Sequence, residues 1–319
     1  MKKAVFIIPY FGQFPEWFQL FLNSCGQNPN YDWLIFTDNQ TKYDYPKNVK
    51  VAVTTFSELS CKIQQKFEFN IRLEKPYKLC DLKPMYGYLF QDQIKEYPFW
   101  GHCDIDTILG KLDHFVSTNY YEKYDKIGVL GHLTLYRNSY DVNTLFMKPL
   151  HGKLRYKEVL QTLENCSFDE EYNDSINTIF EAYGRPIKYD LKIANTYTKT
   201  SNFRLTNLDK NWNYSIEPIT QNIFVWDSGI LNRYTKNKIK KQVTLDEYMY
   251  IHFQSRKMKV KTHNYKKYKI IPNVFEDLET QTVSYSNFPK SKHFNLHYFR
   301  LRSYNLYDKT KKKIMRKFK

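Results

Sequence analysis

At 319 residues the chain is long enough for one large domain, or a domain with an appendage, and 42 % hydrophobic content supplies a core. The 28 tyrosines and 23 phenylalanines argue against disorder, because such side chains bury large areas and drive collapse. A formal charge of +16 points to anionic partners: phosphates, nucleic acid or an acidic bilayer. Cys25, Cys61, Cys80, Cys103 and Cys166 form no C-x-x-C pair, the pattern of reduced thiols rather than of a disulfide frame or structural zinc. The first apolar run breaks at Pro9, so no signal peptide is expected. No run approaches the roughly 18–20 apolar residues of a membrane span. A cytoplasmic protein is expected.

AVFIIP (4–9) is wholly apolar and rich in β-branched residues, the pattern of a strand covered on both faces. A helix over 15–25 follows, with Pro15 near its start, then strands over 32–38 and 49–55. The stretch 57–69 reads as a helix with Ser57 as N-cap, and 81–96 as a helix with Pro84 in its first turn. A strand through Phe99 and Trp100 runs into Asp104-Ile105-Asp106, and KIGVLGH (126–132) and LTLYRN (133–138) come after it. Strands alternating with helices imply parallel pairing and an α/β sandwich. Such sheets bind ligands beyond the carboxyl ends of their strands. PYFG, TDN and DID all fall at strand ends, so one crevice is expected to gather them.

The second half is less regular. FDEEYNDSINTIFEAYG (168–184) reads as a helix with acidic residues in its first turn and Gly184 as its stop. QNIFVWDSGILNRY (221–234) reads as a hairpin turning at Asp227, Ser228 and Gly229. EYMYIHFQSRKMKV (247–260) is aromatic and becomes basic after His252. With no internal repeat or low-complexity linker, a single globular unit is the economical expectation.

Residues i and i+2 of a strand share a face, so an extended DID would present Asp104 and Asp106 to one space. Like charges so placed need compensation, and a divalent cation with a taste for oxygen, magnesium or manganese, would provide it. His252 is a candidate for a further ligand, and Arg256 and Lys257 would place two cations near a diphosphate. A histidine among aromatics equally fits a packed core. In KPYKLCDLKPMYG (75–87), Asp81 and Lys83 fall at a predicted helix start, and Lys78 and Lys83 add positive charge. That suits an anion site, or a solvated basic turn. Pro9, Tyr10, Phe11 and Gly12, with Asp38, suit a nucleoside pocket: Tyr10 or Phe11 stacks on a base and Asp38 accepts hydrogen bonds from base or ribose.

With those segments in order, the chain resembles a divergent bacterial glycosyltransferase of the GT-A type. The resemblance is to families that include glycogenin-like and capsule or lipopolysaccharide sugar transferases, in a group described only as a domain of unknown function. K-L-C-D-L-K (78–83), W-G-H-C-D-I-D (100–106) and H-F-Q-S-R-K (252–257) carry it, over about residues 4 to 260. In those families glycine follows the histidine and proline the lysine; Ser255 and Met258 stand there instead, and the glycine pair before D-x-D is reduced to Gly101. The resemblance implies a GT-A-like, Rossmann-related α/β fold: a mixed, mostly parallel sheet flanked by helices. It implies a nucleotide-diphosphate-sugar donor (a UDP-sugar favoured) and Mn2+ or Mg2+ on Asp104, Asp106 and His252. Ile105 would lie against the donor, Asp81 would contact the donor sugar, and Lys83 the sugar or the diphosphate.

An inverting transferase also needs a carboxylate base on the acceptor side, for which Asp169 and Glu170 are candidates; capping a helix start is their other explanation. The resemblance leans towards retention, which requires no such base. The expected organisation is one catalytic domain over 1–270, with a nucleotide-binding half (1–140) and an acceptor half (141–270), then a basic segment (271–319). YDKTKKKIMRKFK (307–319) mixes cations with Ile314, Met315 and Phe318, which suits peripheral contact with the cytoplasmic face of a membrane. That contact matches a glycan or lipid-linked oligosaccharide acceptor in capsule, exopolysaccharide or lipopolysaccharide synthesis. Two alternatives remain open. A nucleic-acid-binding protein would explain the charge but has no use for paired carboxylates, and nucleic acid is not expected as a partner. A nucleotidyltransferase of related fold would need a glycine-rich phosphate loop, where only Gly12 stands.

Overall fold

The structure, a computed structural model, describes residues 2–170, 173–198, 200, 202–209, 211–293, 296, 299–300, 303–304, 306–307 and 310–311. It divides into two compact units: Met1–Lys192 with Lys210–Trp212, and Ile193–Asp209 with Asn213–Lys319.

In the first unit, β1 (Ala4–Pro9), β2 (Tyr31–Thr37) and β3 (Val49–Val53) alternate with α1 (Phe18–Gly26) and α2 (Phe56–Gln64). Phe18, Leu20, Phe21, Leu22 and Cys25 of α1 are buried, as the apolar spacing requires. Pro15 stays in the turn before it, accepting the N–H of Phe18 at 2.9 Å. The cap of α2 is Thr55 rather than Ser57. Thr55 Oγ1 accepts from the Glu58 N–H while the Glu58 carboxylate accepts from the Thr55 N–H, a complete capping box.

The helix expected over 81–96 is instead a chain of short pieces: α3 (Leu79–Leu82), α4 (Tyr86–Leu89) and α5 (Gln91–Ile94), with 3-10 turns at Pro76–Lys78 and Lys83–Met85. Pro76 and Pro84 each lack an N–H, and each stands at the start of one of those tighter turns.

Then come β4 (Phe99–Cys103), β5 (Thr107–Leu109), α6 (Thr118–Lys123), β6 (Lys126–Ile127), β7 (Leu133–Arg137), α7 (Tyr140–Asn143), α8 (Arg155–Leu160), α9 (Ile176–Ala182) and β8 (Ile187–Lys188). The main sheet has the order β3-β2-β1-β4-β7-β6-β8. Strands β1 to β4 run parallel, β7 is antiparallel to both β4 and β6, and β6 is parallel to β8. The unit is therefore mixed α/β with a mostly parallel sheet. Gly101 lets β4 and β7 approach closely: a Cβ there would lie 2.4 Å from the Thr134 carbonyl oxygen.

The helix expected over 168–184 begins only at Ile176, capped by Ser175, and ends before Gly184, whose φ is +62°. Asp169 and Glu170 are therefore not in its first turn.

The second unit is mostly antiparallel. Its strands are β9 (Ala194–Asn195), β10 (Thr206–Leu208), β11 (Tyr214–Ile216), β12 (Gln221–Asp227), β13 (Ile230–Asn237), β14 (Gln242–Glu247), β15 (Tyr250–His252), β16 (Lys259–Val260), β17 (Lys267–Ile271) and β18 (Val274–Glu276). Six of them form a sheet of order β14-β13-β12-β17-β18-β16. The hairpin expected over 221–234 is present as β12 and β13, turning on Ser228 and Gly229 with φ of 49° and 98°. No helix among the described residues is long and apolar enough to cross a membrane. Most of the basic tail at 307–319 lies outside the described residues.

Candidate functional site

The carboxyl ends of β1, β2 and β4 carry the polar segments noted in the sequence. β4 stops at Cys103, so Asp104 and Asp106 occupy a bend before β5 rather than alternate positions of a strand. The bend is tied at its backbone: the Asp104 N–H donates to the His132 carbonyl at 3.0 Å, and Thr107 Oγ1 donates to the Asp104 carbonyl at 2.8 Å. Ile105 turns inward and is buried. The two aspartates remain half-buried, each with a carboxylate oxygen within 4.8 Å of the other's.

Lys83 compensates one of them. Its Nζ lies 2.8 Å from Asp104 Oδ1 and 3.1 Å from Asp169 Oδ2, and donates to the Gly131 carbonyl at 2.9 Å. Burial alone would pull the lysine's pKa down; Asp104 and Asp169 outweigh it and hold the ammonium well above its ordinary value. Asp169 is 2 % exposed. Its burial raises its pKa, against the pull of Lys83 and with a further push from Asp104. A Cβ at Gly131 would lie 2.4 Å from Asp169 Oδ2 and 2.8 Å from Glu170 Oε1, so a larger residue there would have to displace those carboxylates.

Asp81, expected at the donor sugar, is fully buried. Its carboxylate takes Lys78 Nζ at 2.8 Å, the Cys166 N–H at 2.9 Å and the Phe168 N–H at 3.1 Å. Oriented to donate, the Asn165 amide reaches both oxygens at 3.0 and 3.1 Å. Lys78 also donates to the Glu164 carbonyl. Asp81 and Lys78 thus fasten the segment 164–168 that leads directly into Asp169. The predicted anion site at the start of an 81–96 helix is replaced by this internal tether.

The loops after β1 and β2 do meet. The Gly12 N–H donates to Asp38 Oδ1 at 2.8 Å, and Asn39 Nδ2 returns to the Gly12 carbonyl at 3.0 Å. Tyr10 stacks on Phe14 at 5.1 Å between ring centres, and Phe11 meets the edge of Phe56 at 5.5 Å. Pro9, Tyr10 and Phe11 are half-buried and Gly12 is exposed. Burial, then the charge of Asp106, raises the pKa of Tyr10, which places this loop in the field of the aspartate bend.

In the second unit, His252 is buried, with Nδ1 3.2 Å from Asn195 Oδ1, which also accepts Gln254 Nε2 at 2.8 Å. The pairing of β9 and β15 sets this contact, since His252 lies opposite Asn195. A carbonyl oxygen at Nδ1 assigns the proton there and leaves Nε2 as the lone-pair nitrogen. Arg256 is also buried; one guanidinium nitrogen donates to the Tyr197 and Thr200 carbonyls at 2.7 and 3.0 Å, and the group lies 5.5 Å from the Phe203 ring centre. It works as an internal brace. Lys257 is exposed.

Sequence reasoning did not single out Lys126 or Asn177. Lys126 is fully buried, donating to the Gly128 carbonyl at 2.7 Å and Asn177 Oδ1 at 2.6 Å. Asn177 in turn donates to the carbonyls of Val129 and Glu170, joining the two segments that flank Lys83. Burial pulls the Lys126 pKa down to about 7. A lysine opening a two-residue strand gives no sequence signal of this kind.

The first unit is thus an α/β protein with a compact cluster of carboxylates and one shared lysine at the carboxyl end of a mostly parallel sheet. The chain belongs to a family of unknown function, DUF6625, whose model matches residues 6–279. No curated protein sequence matches it. Among solved structures, the chain is similar to the galactosyltransferase LgtC, determined in complex with donor and acceptor sugar analogs. The TM-score is 0.31 and the identity 9 %, over 60 % of this chain and 75 % of that one.

Proposed function

We propose that the protein is a GT-A-like, metal-dependent glycosyltransferase that moves a sugar from a nucleotide-diphosphate donor, a UDP-sugar favoured, to a glycan acceptor. One observation carries the reading: Asp104 and Asp106 converge in a fixed bend beyond β4, with Lys83 drawn to the same point. Paired carboxylates with oxygen donors suit Mn2+ or Mg2+ and leave room for phosphate oxygens. Within the second unit, Asn195 orients the His252 ring as the outer partners of metal-bound histidines do. When bound, the ion would neutralise charge on the departing nucleoside diphosphate.

The chain's own residues would do the rest. Tyr10 and Phe11 receive the base, while Asp38 fixes the Gly12 loop beneath it. Lys83 steadies negative charge on the donor. Asp81 and Lys78 act at one remove, holding the segment that carries Asp169. Asp169 lies buried against Lys83, a poor position for taking a proton from an acceptor hydroxyl, which leaves Glu170 as the candidate base should the reaction invert; retention, which needs none, is the favoured course. The proposed acceptor is a glycan such as a lipid-linked oligosaccharide in capsule, exopolysaccharide or lipopolysaccharide synthesis. The basic C-terminal segment would keep the enzyme at the cytoplasmic face of a membrane.

Mn2+ binding, followed by electron paramagnetic resonance, tests the site. The wild type should sequester the ion; Asp104→Asn and Asp106→Asn should each weaken binding by at least about tenfold. Retention of full affinity by Asp106→Asn would remove the basis of the reading.

A further inference from the structure

The turn joining β13 and β14 in the second unit has a chemistry that sugar transfer does not call on. Beyond the Asn237↔Gln242 pair, Lys238, Ile239, Lys240 and Lys241 form an exposed turn. Ile239 is 95 % exposed, more than any other large hydrophobic residue among those described. The turn is well held: Asn237 Oδ1 accepts the N–H groups of Ile239 and Lys240 at 3.0 and 2.9 Å, and Lys241 takes a φ of 48° to return the chain. An aliphatic side chain is thus kept in water with three lysines around it, and the next acidic residue is Asp246.

β14 is an edge strand, and lysines on an edge deter pairing with a second chain. That explains the lysines and leaves Ile239 unexplained, since an exposed aliphatic residue makes such an edge more adhesive. An apolar tip ringed by cations matches the boundary between headgroups and acyl chains of an anionic bilayer. Nucleic acid would use the lysines, but single-stranded sites stack bases on aromatic side chains, and the turn has none. A second element of the same unit has similar chemistry. Residues 290–319 hold eleven lysines and arginines against one aspartate, and Leu296, Phe299, Tyr304, Leu306 and Tyr307 are all exposed.

We propose that the 238–241 turn is a membrane-docking element that seats Ile239 at the acyl boundary of an anionic bilayer, with Lys238, Lys240 and Lys241 on lipid phosphates. Neither the metal nor the sugar-transfer reading is needed for it. The test is co-sedimentation of the full chain with phosphatidylcholine vesicles, with and without phosphatidylglycerol, and in parallel with duplex DNA and single-stranded RNA. The wild type should partition onto the anionic vesicles alone. Ile239→Ser, which leaves the charge intact, should weaken partitioning by about tenfold, and Lys240→Gln by about fivefold. Both positions are exposed, and melting temperatures equal to wild type will show that the variants are folded. Wild-type indifference to anionic vesicles, Ile239→Ser binding as tightly as wild type, or tighter binding to nucleic acid than to vesicles would each overturn the proposal.

Discussion

Replacing Lys83 by methionine keeps much of the side-chain volume and removes the charge that Asp104 and Asp169 share. Both partners are close, at 2.8 and 3.1 Å, and the lysine side chain is only 9 % exposed. Removing one partner of a buried ion pair costs about 3–5 kcal/mol. Asp104 is 32 % exposed and solvent screens its share, so about 3 kcal/mol is the fair expectation, most of it from Asp169. For a unit of this length that is a fall in melting temperature of about 6–12 °C. The loss depends on pH. The Asp169 carboxyl already has a raised pKa in the folded protein, and without the ammonium it rises further. A carboxyl raised on folding favours the folded state while protonated, and that advantage fades as pH climbs from the unfolded pKa through the folded one. The variant should therefore be hurt most at about pH 8 and least at about pH 5, where the lost Gly131 hydrogen bond leaves about 1–2 kcal/mol. Thermal unfolding by circular dichroism at both pH values measures this. An equal fall at the two pH values, or no fall at about pH 8, would refute the buried-cluster argument.

Gly131→Ala should push Asp169 off Lys83, destabilise the first unit by about 1–3 kcal/mol and weaken Mn2+ binding, both measurable by thermal shift with and without the ion. Thr55→Ala breaks the capping box of α2 and should cost about 1 kcal/mol in chemical denaturation, with Mn2+ affinity unchanged. Lys126 has a folded pKa of about 7, below its unfolded value, so the unfolded chain binds the extra proton between them and the contribution of Lys126 to stability grows as pH rises from about 7 to about 10. The stability of wild type relative to Lys126→Met should rise across that range, and denaturation at several pH values will show a flat difference if the lysine is not depressed.

Much of the first unit was legible because its signals are local. The apolar run over 4–9 and the mostly apolar one over 32–38 became parallel strands, and in the second unit the Ser228-Gly229 turn fell where positive φ was required. The loops carrying Gly12 and Asp38 were expected in one crevice, and they hydrogen-bond each other. What was not legible depends on distant partners. Acidic residues at 169 and 170 read as a helix start; burial of Asp169 under Lys83 is fixed by tertiary contact, and Ser175 takes the capping role instead. Arg256 read as a diphosphate cation, yet backbone carbonyls of a loop more than fifty residues earlier take one of its guanidinium nitrogens and Asn273 Oδ1 another. Asp81 read as surface chemistry in a basic turn, and proved an internal tether because three backbone or amide donors from 165–168 converge on it.

The central claim is that the Asp104–Asp106 bend binds a metal and a nucleotide-sugar to transfer the sugar. Its most direct test is a screen of nucleotide sugars with and without Mn2+, following donor hydrolysis together with thermal shift. The account predicts a Mn2+-dependent response to at least one donor, abolished in Asp106→Ala. Silence with every donor, or a response that Asp106→Ala leaves intact, would contradict it.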